Sequence, residues 1–351
     1  MLIAGTFLAW FVMTVLVVLS KASRDRREVV SSSRRGQYRK AVLSGGSSDL
    51  VEIYKEMVRE DSAQTDMLAV LEETGVTPEM ILTFRRADEI HPISGTLEFQ
   101  SYGEEPTARG KGVLLLGRMG LDHAASVADS LLRDEDADVR FAACSALGSV
   151  ANDAAARSLI QAMSEGLIPH ERLIERLGAP WANDEVLRAL RESDDPHCRS
   201  SLMRSLSLAP DPRALEPLIH YASQGTEEER VSAVRTLGLT GPAEKVIPVL
   251  FAALEDDSPA VRAQSARAIG LIHDLNTPEG LELSIVAAER LRGCLSDRDW
   301  WVRANTASAL RHLGMAGKHQ LLDALHDPDR FCRERARESL ALLESKAAAA
   351  Q

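Results

Sequence analysis

Seven arginines set the frame of this chain. Arg109, Arg140, Arg199, Arg230, Arg262, Arg303 and Arg333 recur with His170 in the gap between the second and third, at intervals of 31, 30, 29, 31, 32, 41 and 30 residues. A period of that size marks stacked supersecondary elements, since one element alone buries too little apolar surface to hold itself. The text around each arginine repeats as well. Three residues on come Gly112, Ala143, Leu202, Ala233, Ser265, Thr306 and Ala336, and seven on come Leu116, Leu147, Leu177, Leu206, Leu237, Ile269, Leu310 and Leu340. Offsets of three and seven share one face of a helix, so each arginine stands on a helix with a buried stripe.

The starts of these helices are also written out. Four residues before the ladder position stand Asp136, Asp195, Thr226, Ser258, Asp299 and Asp329, and Pro106, Pro196 and Pro259 come one place later. This is an N-cap followed by Pro at the first helical position, where a missing N–H costs nothing. Ahead of them run "AASVADSLLRD", "AAARSLIQAMSE", "DEVLRALRES", "ALEPLIHYASQ", "KVIPVLFAALED" and "KHQLLDALHD", which read as partner helices joined by short linkers. Aromatics make up only 4% of the residues, which suits many small helix contacts better than a thick sheet core. The expected fold class is an all-α solenoid of about eight helix pairs.

The stretches "DADVRFAACSALG", "DSPAVRAQSARAIG" and "DRDWWVRANTASAL" resemble HEAT repeats of the short type also found in phycobilisome lyases, over residues 104–345. The resemblance implies a right-handed superhelix whose concave face binds other proteins. Two departures stand out. His170 replaces arginine in a degenerate repeat, and the 41-residue interval before Arg303 holds an insertion around residues 276–280, read as a lengthened first helix or a loop reaching a partner.

The first forty residues are of another kind. Leu2 to Leu19 is uncharged and would span roughly 27 Å as a helix, against a hydrocarbon core of about 30 Å. Residues 1–20 therefore read as a single transmembrane helix, with a cleaved signal peptide as the competing reading. Between residues 21 and 40 lie eight basic side chains against Asp25 and Glu28. Basic residues beside a span stay on the cytoplasmic side, which puts the body in the cytoplasm at the inner (plasma) membrane, and Lys21, Arg24, Arg26 and Arg27 are the candidate membrane-surface residues. Residues 21–48, rich in serine, read as a flexible juxtamembrane stalk. Three helices are expected in a cap region over 49–103, with 91–106 as an ordered loop or short hairpin, and the tail 346–351 is expected to fray. The whole chain carries −11, and the residues beyond that basic cluster about −17, a poor match for a phosphate backbone, so no nucleic acid is expected as ligand.

Repetition in every helix pair makes the arginine ladder scaffold, each guanidinium pairing with an N-cap Asp or with an acid of the adjacent repeat; an anion-binding row is the alternative. Chemistry is sparse elsewhere. The four cysteines (Cys144, Cys198, Cys294, Cys332) lie too far apart for a zinc knuckle or a disulfide framework. HEAT-like deoxyhypusine hydroxylase carries His-Glu pairs on successive helices, and here only His170-Glu171 has that form, so its activity is not carried over. No metal, cofactor or catalytic residue is assigned. Trp300, Trp301 and Phe331 are the candidate partner-binding residues: they stand at equivalent helix starts in neighbouring repeats and either form one aromatic patch or pack under the preceding turn.

These features point to a non-enzymatic, membrane-tethered cytoplasmic adaptor. Its partner is expected to be an integral membrane protein or complex. The short repeats and compact anchor suggest a bacterial protein, and the resemblance extends to HEAT proteins that accompany envelope or polysaccharide glycosyltransferases. The alternative that the resemblance offers is a chromophore-lyase-like enzyme or accessory factor.

Overall fold

The computed structural model describes residues 27–44, 47–90, 92–121 and 123–349. Every regular element among them is a helix, and the chain falls into two compact parts that meet between Ala151 and Asn152. The apolar run 2–19 lies outside the described residues, and among those described no helix is long and apolar enough to cross a membrane.

In the N-terminal part, residues 27–44 form α1. It is followed by α2 (Ser47–Arg59), α3 (Asp61–Thr74), α4 (Pro78–Ile90), α5 (Ser94–Ser101), α6 (Pro106–Arg118), α7 (Ala124–Leu131) and α8 (Ala137–Val150). Two expectations are corrected here. The flexible stalk is, over residues 27–44, a packed helix that buries Tyr38, Ala41 and Val42. Side chains of this helix find acids further along the chain: Arg34 pairs with Glu56 at 2.9 Å and Glu60 at 2.6 Å, and Tyr38 donates to Glu56 at 2.8 Å. Within the expected loop or hairpin over 91–106, residues 94–101 instead form α5. Asp88 fastens its start by accepting the Ile93 and Ser94 N–H groups at 2.6 and 2.9 Å, while Ile93 and Leu97, one turn apart, are fully buried. α5 and α6 thus make a first helix pair that begins ahead of residue 104, and α7 and α8 make the second.

The C-terminal part carries six more pairs. They are α9 (Asp153–Ser164) with α10 (His170–Leu177), α11 (Asn183–Glu192) with α12 (Pro196–Leu206), and α13 (Leu215–Gln224) with α14 (Glu227–Thr240). Then come α15 (Ala243–Ala253) with α16 (Pro259–Leu271), α17 (Leu281–Cys294) with α18 (Trp300–His312), and α19 (Gly314–Asp323) with α20 (Arg330–Ala349). Second helices pack on second helices and first on first, giving a two-layered, solenoid-like stack. The insertion after α16 is a 3₁₀ turn (His273–Asn276) that leads into the 14-residue α17.

The sequence rules act locally. Asp136, Asp195, Thr226, Ser258 and Asp299 each accept a backbone N–H in the first turn of the helix they precede, and Thr226 completes a capping box with Glu229. Glycines eight residues after the ladder arginine set how close the second helices come. A Cβ on Gly117 would stand 2.6 Å from the Ala146 Cα, one on Gly238 2.9 Å from the Ala268 Cβ, and one on Gly270 2.7 Å from the Ala309 Cα. Backbones approach there to a distance that no larger residue permits.

Candidate functional site

Each ladder guanidinium folds back over the start of its own helix. Arg262 Nη1 donates to the carbonyls of Asp256 and Asp257 at 2.7 and 3.0 Å, Arg303 to those of Asp297 and Arg298, and Arg333 to those of Asp327 and Pro328. Arg109, Arg140, Arg199 and Arg230 bind the carbonyls of their own preceding turns in the same way. The remaining nitrogens reach the next repeat. Arg109 binds Asp134 with two bonds of 2.8 Å, Arg230 binds Asp256 at 2.7 and 2.9 Å, Arg262 binds Asp297 at 2.8 and 3.0 Å, and Arg199 meets Glu229 at 2.5 Å.

The acid used at Arg109, Arg230 and Arg262 is not the N-cap aspartate but an Asp two residues before the cap. Asp134, Asp256 and Asp297 each also accept the N–H of the cap residue, at 2.9, 2.8 and 2.8 Å. One carboxylate therefore ties three points: the previous arginine, its own turn, and the start of its own helix. Burial works to raise the Asp256 and Asp297 carboxyls, but the bidentate arginine and the cap N–H outweigh it and hold both below the usual carboxylate range.

His170 takes the ladder place on α10 differently. Its Nδ1 lies 2.7 Å from the Ser201 hydroxyl, and its ring stacks on His197 at 4.3 Å between centroids. His197 Nδ1 in turn lies 2.9 Å from Glu228. Burial, with His197 adding to it, lowers the His170 pKa. Among the described residues no three His, Cys, Asp or Glu side chains gather as a metal site. All four cysteines are free. Burial raises the thiols of Cys198 and Cys332 and pushes Cys294 up to about 11, which leaves them poor nucleophiles.

The aromatic candidates stand at the surface. Trp300 and Trp301 are 63% and 51% exposed, and Phe331 is 54% exposed, so packing under the preceding turn does not describe them. The two indoles meet edge to face at 5.2 Å, and the Arg303 guanidinium lies 4.7 Å from the Phe331 ring centroid. A ladder arginine thus lies over the aromatic ring while its Nη1 holds the turn. Of the membrane-surface candidates, Arg27 is exposed on α1, and Lys21, Arg24 and Arg26 lie outside the described residues.

A second arginine series is not apparent from the ladder itself. Arg204, Arg235 and Arg267 sit five residues after ladder positions, and Leu208, Leu239 and Leu271 follow each by four. The repeated Arg-x-x-x-Leu is the sequence signal for it.

Comparison with known proteins fits this geometry. The family model described as "HEAT repeats" matches residues 222–283, and that described as "HEAT repeat" matches residues 127–154. The chain carries HEAT repeats. Among solved structures, the karyopherin Kap121p bound to the extreme C-terminus of the protein phosphatase Cdc14p is similar over 87% of this chain and 41% of that chain, at 12% identity and a TM-score of 0.54. This is a likeness of fold alone, and the HEAT chain here spans less than half the karyopherin's length. Human deoxyhypusine hydroxylase aligns at 17% identity over 91% of this chain and 98% of that chain, with a TM-score of 0.31. An engineered protein aligns at 18% identity over 90% of this chain and 95% of that chain, with a TM-score of 0.33. A search of curated protein sequences gave no match.

Proposed function

We propose that this HEAT-repeat protein is a non-catalytic adaptor, tethered to the plasma membrane through residues 1–20 with its body in the cytoplasm. On this reading it holds an integral membrane protein, and an envelope or polysaccharide glycosyltransferase is the kind of partner we put forward. HEAT repeats serve protein–protein interaction, and tethering raises the effective concentration of a partner in the same membrane, so that modest contacts suffice. The observation that carries the reading is the exposed trio Trp300, Trp301 and Phe331 on neighbouring second-helix starts. Folded proteins rarely leave two adjacent tryptophans more than half in water unless something covers them.

The test is purification of the full-length protein in mild detergent, alongside Trp301→Ala and a form beginning at Arg27 that keeps α1. Full-length protein should bring down a stoichiometric membrane protein. Trp301→Ala should weaken that complex by a factor of about 30, the effect of removing a hot-spot aromatic, with its melting temperature unchanged. Recovery of no partner from full-length protein, either in detergent or by crosslinking in cells, would sink the adaptor reading. A large drop in melting temperature for Trp301→Ala would instead make the residue framework.

A further inference from the structure

The second helices carry an unusual charge distribution for an acidic protein. α12, α16 and α18 contain no Asp or Glu, and α14 has acids only in its first turn, at Glu227, Glu228 and Glu229. The ladder arginines Arg199, Arg230 and Arg262 on α12, α14 and α16 are matched by carboxylates, but the arginines five residues further on are not. Among the described residues Arg204, Arg235 and Arg267 have neither a hydrogen bond nor an ion pair from their guanidiniums. They lie side by side on adjacent packed helices, and Arg235, in the middle, is half-buried. Burial, then the neighbouring charges of Arg204 and Arg267, push the Arg235 pKa down, and no carboxylate works against them. Three like charges held together without a counter-charge destabilise the stack that carries them, an arrangement that fits a surface awaiting an anion.

Apolar groups accompany each charge. Leu208, Leu239 and Leu271 follow the three arginines by one helical turn and are 57%, 42% and 44% exposed. The row ends at a cleft of about 340 Å³ lined by Arg267, Leu271, Asn305, Ser308, Ala309 and His312. Packed helix axes lie about 8–10 Å apart, and an extended chain advances about 3.3 Å per residue, so a strand crossing the row meets one arginine for about every three of its residues.

We propose that the face made by Arg204 and Leu208, Arg235 and Leu239, and Arg267 and Leu271 binds an extended acidic peptide segment of the partner, with carboxylates about three residues apart and apolar side chains between them. This rests on reading the chain as an interaction scaffold and adds the chemistry of what it holds. Exposed leucines beside every cation favour a peptide over a nucleic acid, whose sugar-phosphate backbone offers nothing to them.

The experiment is fluorescence anisotropy on the full-length protein in mild detergent, at low salt. The probe is a labelled peptide of roughly ten residues with Glu at every third position and Leu between. The same peptide with Lys for Glu and a single-stranded oligonucleotide of similar length serve as competitors for the comparison. The acidic peptide should bind, release as salt rises, and lose at least about tenfold in affinity in Arg235→Gln. That variant should melt no lower than the parent, since the substitution relieves repulsion, and Arg290→Gln, an exposed cation on α17, should bind as the parent does. The proposal is overturned if the acidic peptide binds no better than the lysine peptide, if Arg235→Gln leaves affinity unchanged, or if the oligonucleotide binds more tightly. Retention of a membrane partner through Trp301 without peptide binding would remove this inference and leave the adaptor reading standing; loss of both would remove both.

Discussion

Asp297→Asn isolates one rung of the ladder. The Asp297 carboxylate accepts two N–H groups of Arg262 at 2.8 and 3.0 Å and the Asp299 N–H at 2.8 Å, and the two side chains are 14% and 8% exposed. Exposed ion pairs contribute about 0–1 kcal/mol, and breaking a fully buried one costs about 3–5 kcal/mol. A pair with water at its rim stands between them, and asparagine keeps the shape and the oxygen that accepts the Asp299 N–H. The expected loss is about 2–3 kcal/mol. In a part of this size each kcal/mol lowers the melting temperature by roughly 2–4 °C, so a drop of about 4–12 °C follows. Trp181, Trp300 and Trp301 all lie in the C-terminal part, and their fluorescence reports its unfolding within the full chain. A double-mutant cycle with Arg262→Met removes contributions that either residue makes alone. Coupling of about 1.5–2.5 kcal/mol is expected, while a cycle on the exposed Arg290–Glu255 pair, 3.6 Å apart, should stay within about 0.5 kcal/mol of zero. An equally small coupling at Arg262–Asp297 would mean that packing alone stacks the repeats.

Two further predictions test the frame. Gly270→Ala would force a methyl group to within 2.7 Å of the Ala309 Cα; overpacking of about 1–3 kcal/mol outweighs the gain in helix propensity of about 1 kcal/mol, so thermal melting should come earlier. Gly293→Ala, whose Cβ would meet nothing within 4 Å, should delay it. The Asp134, Asp256, Asp297 and Glu229 carboxyls are held below their ordinary values, near 4 in the unfolded chain. Their contribution is complete above about pH 5 and is lost as pH falls through the lower folded values. Melting temperature should therefore fall with pH below that point, less steeply in Asp256→Asn; a flat profile down to about pH 2 would contradict the assignment.

Helix starts and buried faces were legible because each repeat states them again: Asp136, Asp195 and Asp299 cap where their spacing from the arginine places them. What the arginine meets was less legible. The choice of Asp256 over the cap Ser258 as partner of Arg230 depends on how one helix pair is rotated against the next, and no local pattern carries that rotation. α1 and α5 were hidden for different reasons. The serines and arginines of α1 suit a linker until Glu56, Glu60 and Asp66 stand opposite them, and α5 is a short helix whose Leu97, Phe99 and Ser101 alternate much as a strand would. Surface exposure of Trp300 and Trp301 likewise follows from tertiary placement rather than from their helix position.

Since Asp134, Asp256 and Asp297 each serve the arginine behind them and the turn they sit in, these three fastenings need nothing beyond the adjacent pair. Arg230 would find the same partner whether Asp256 or Asp297 came next in line. A gene encoding such a chain can add or remove whole periods of the Arg230–Asp256 and Arg262–Asp297 kind with those rungs still closing, so the number of repeats is open to change by duplication or excision without redesign of the interior.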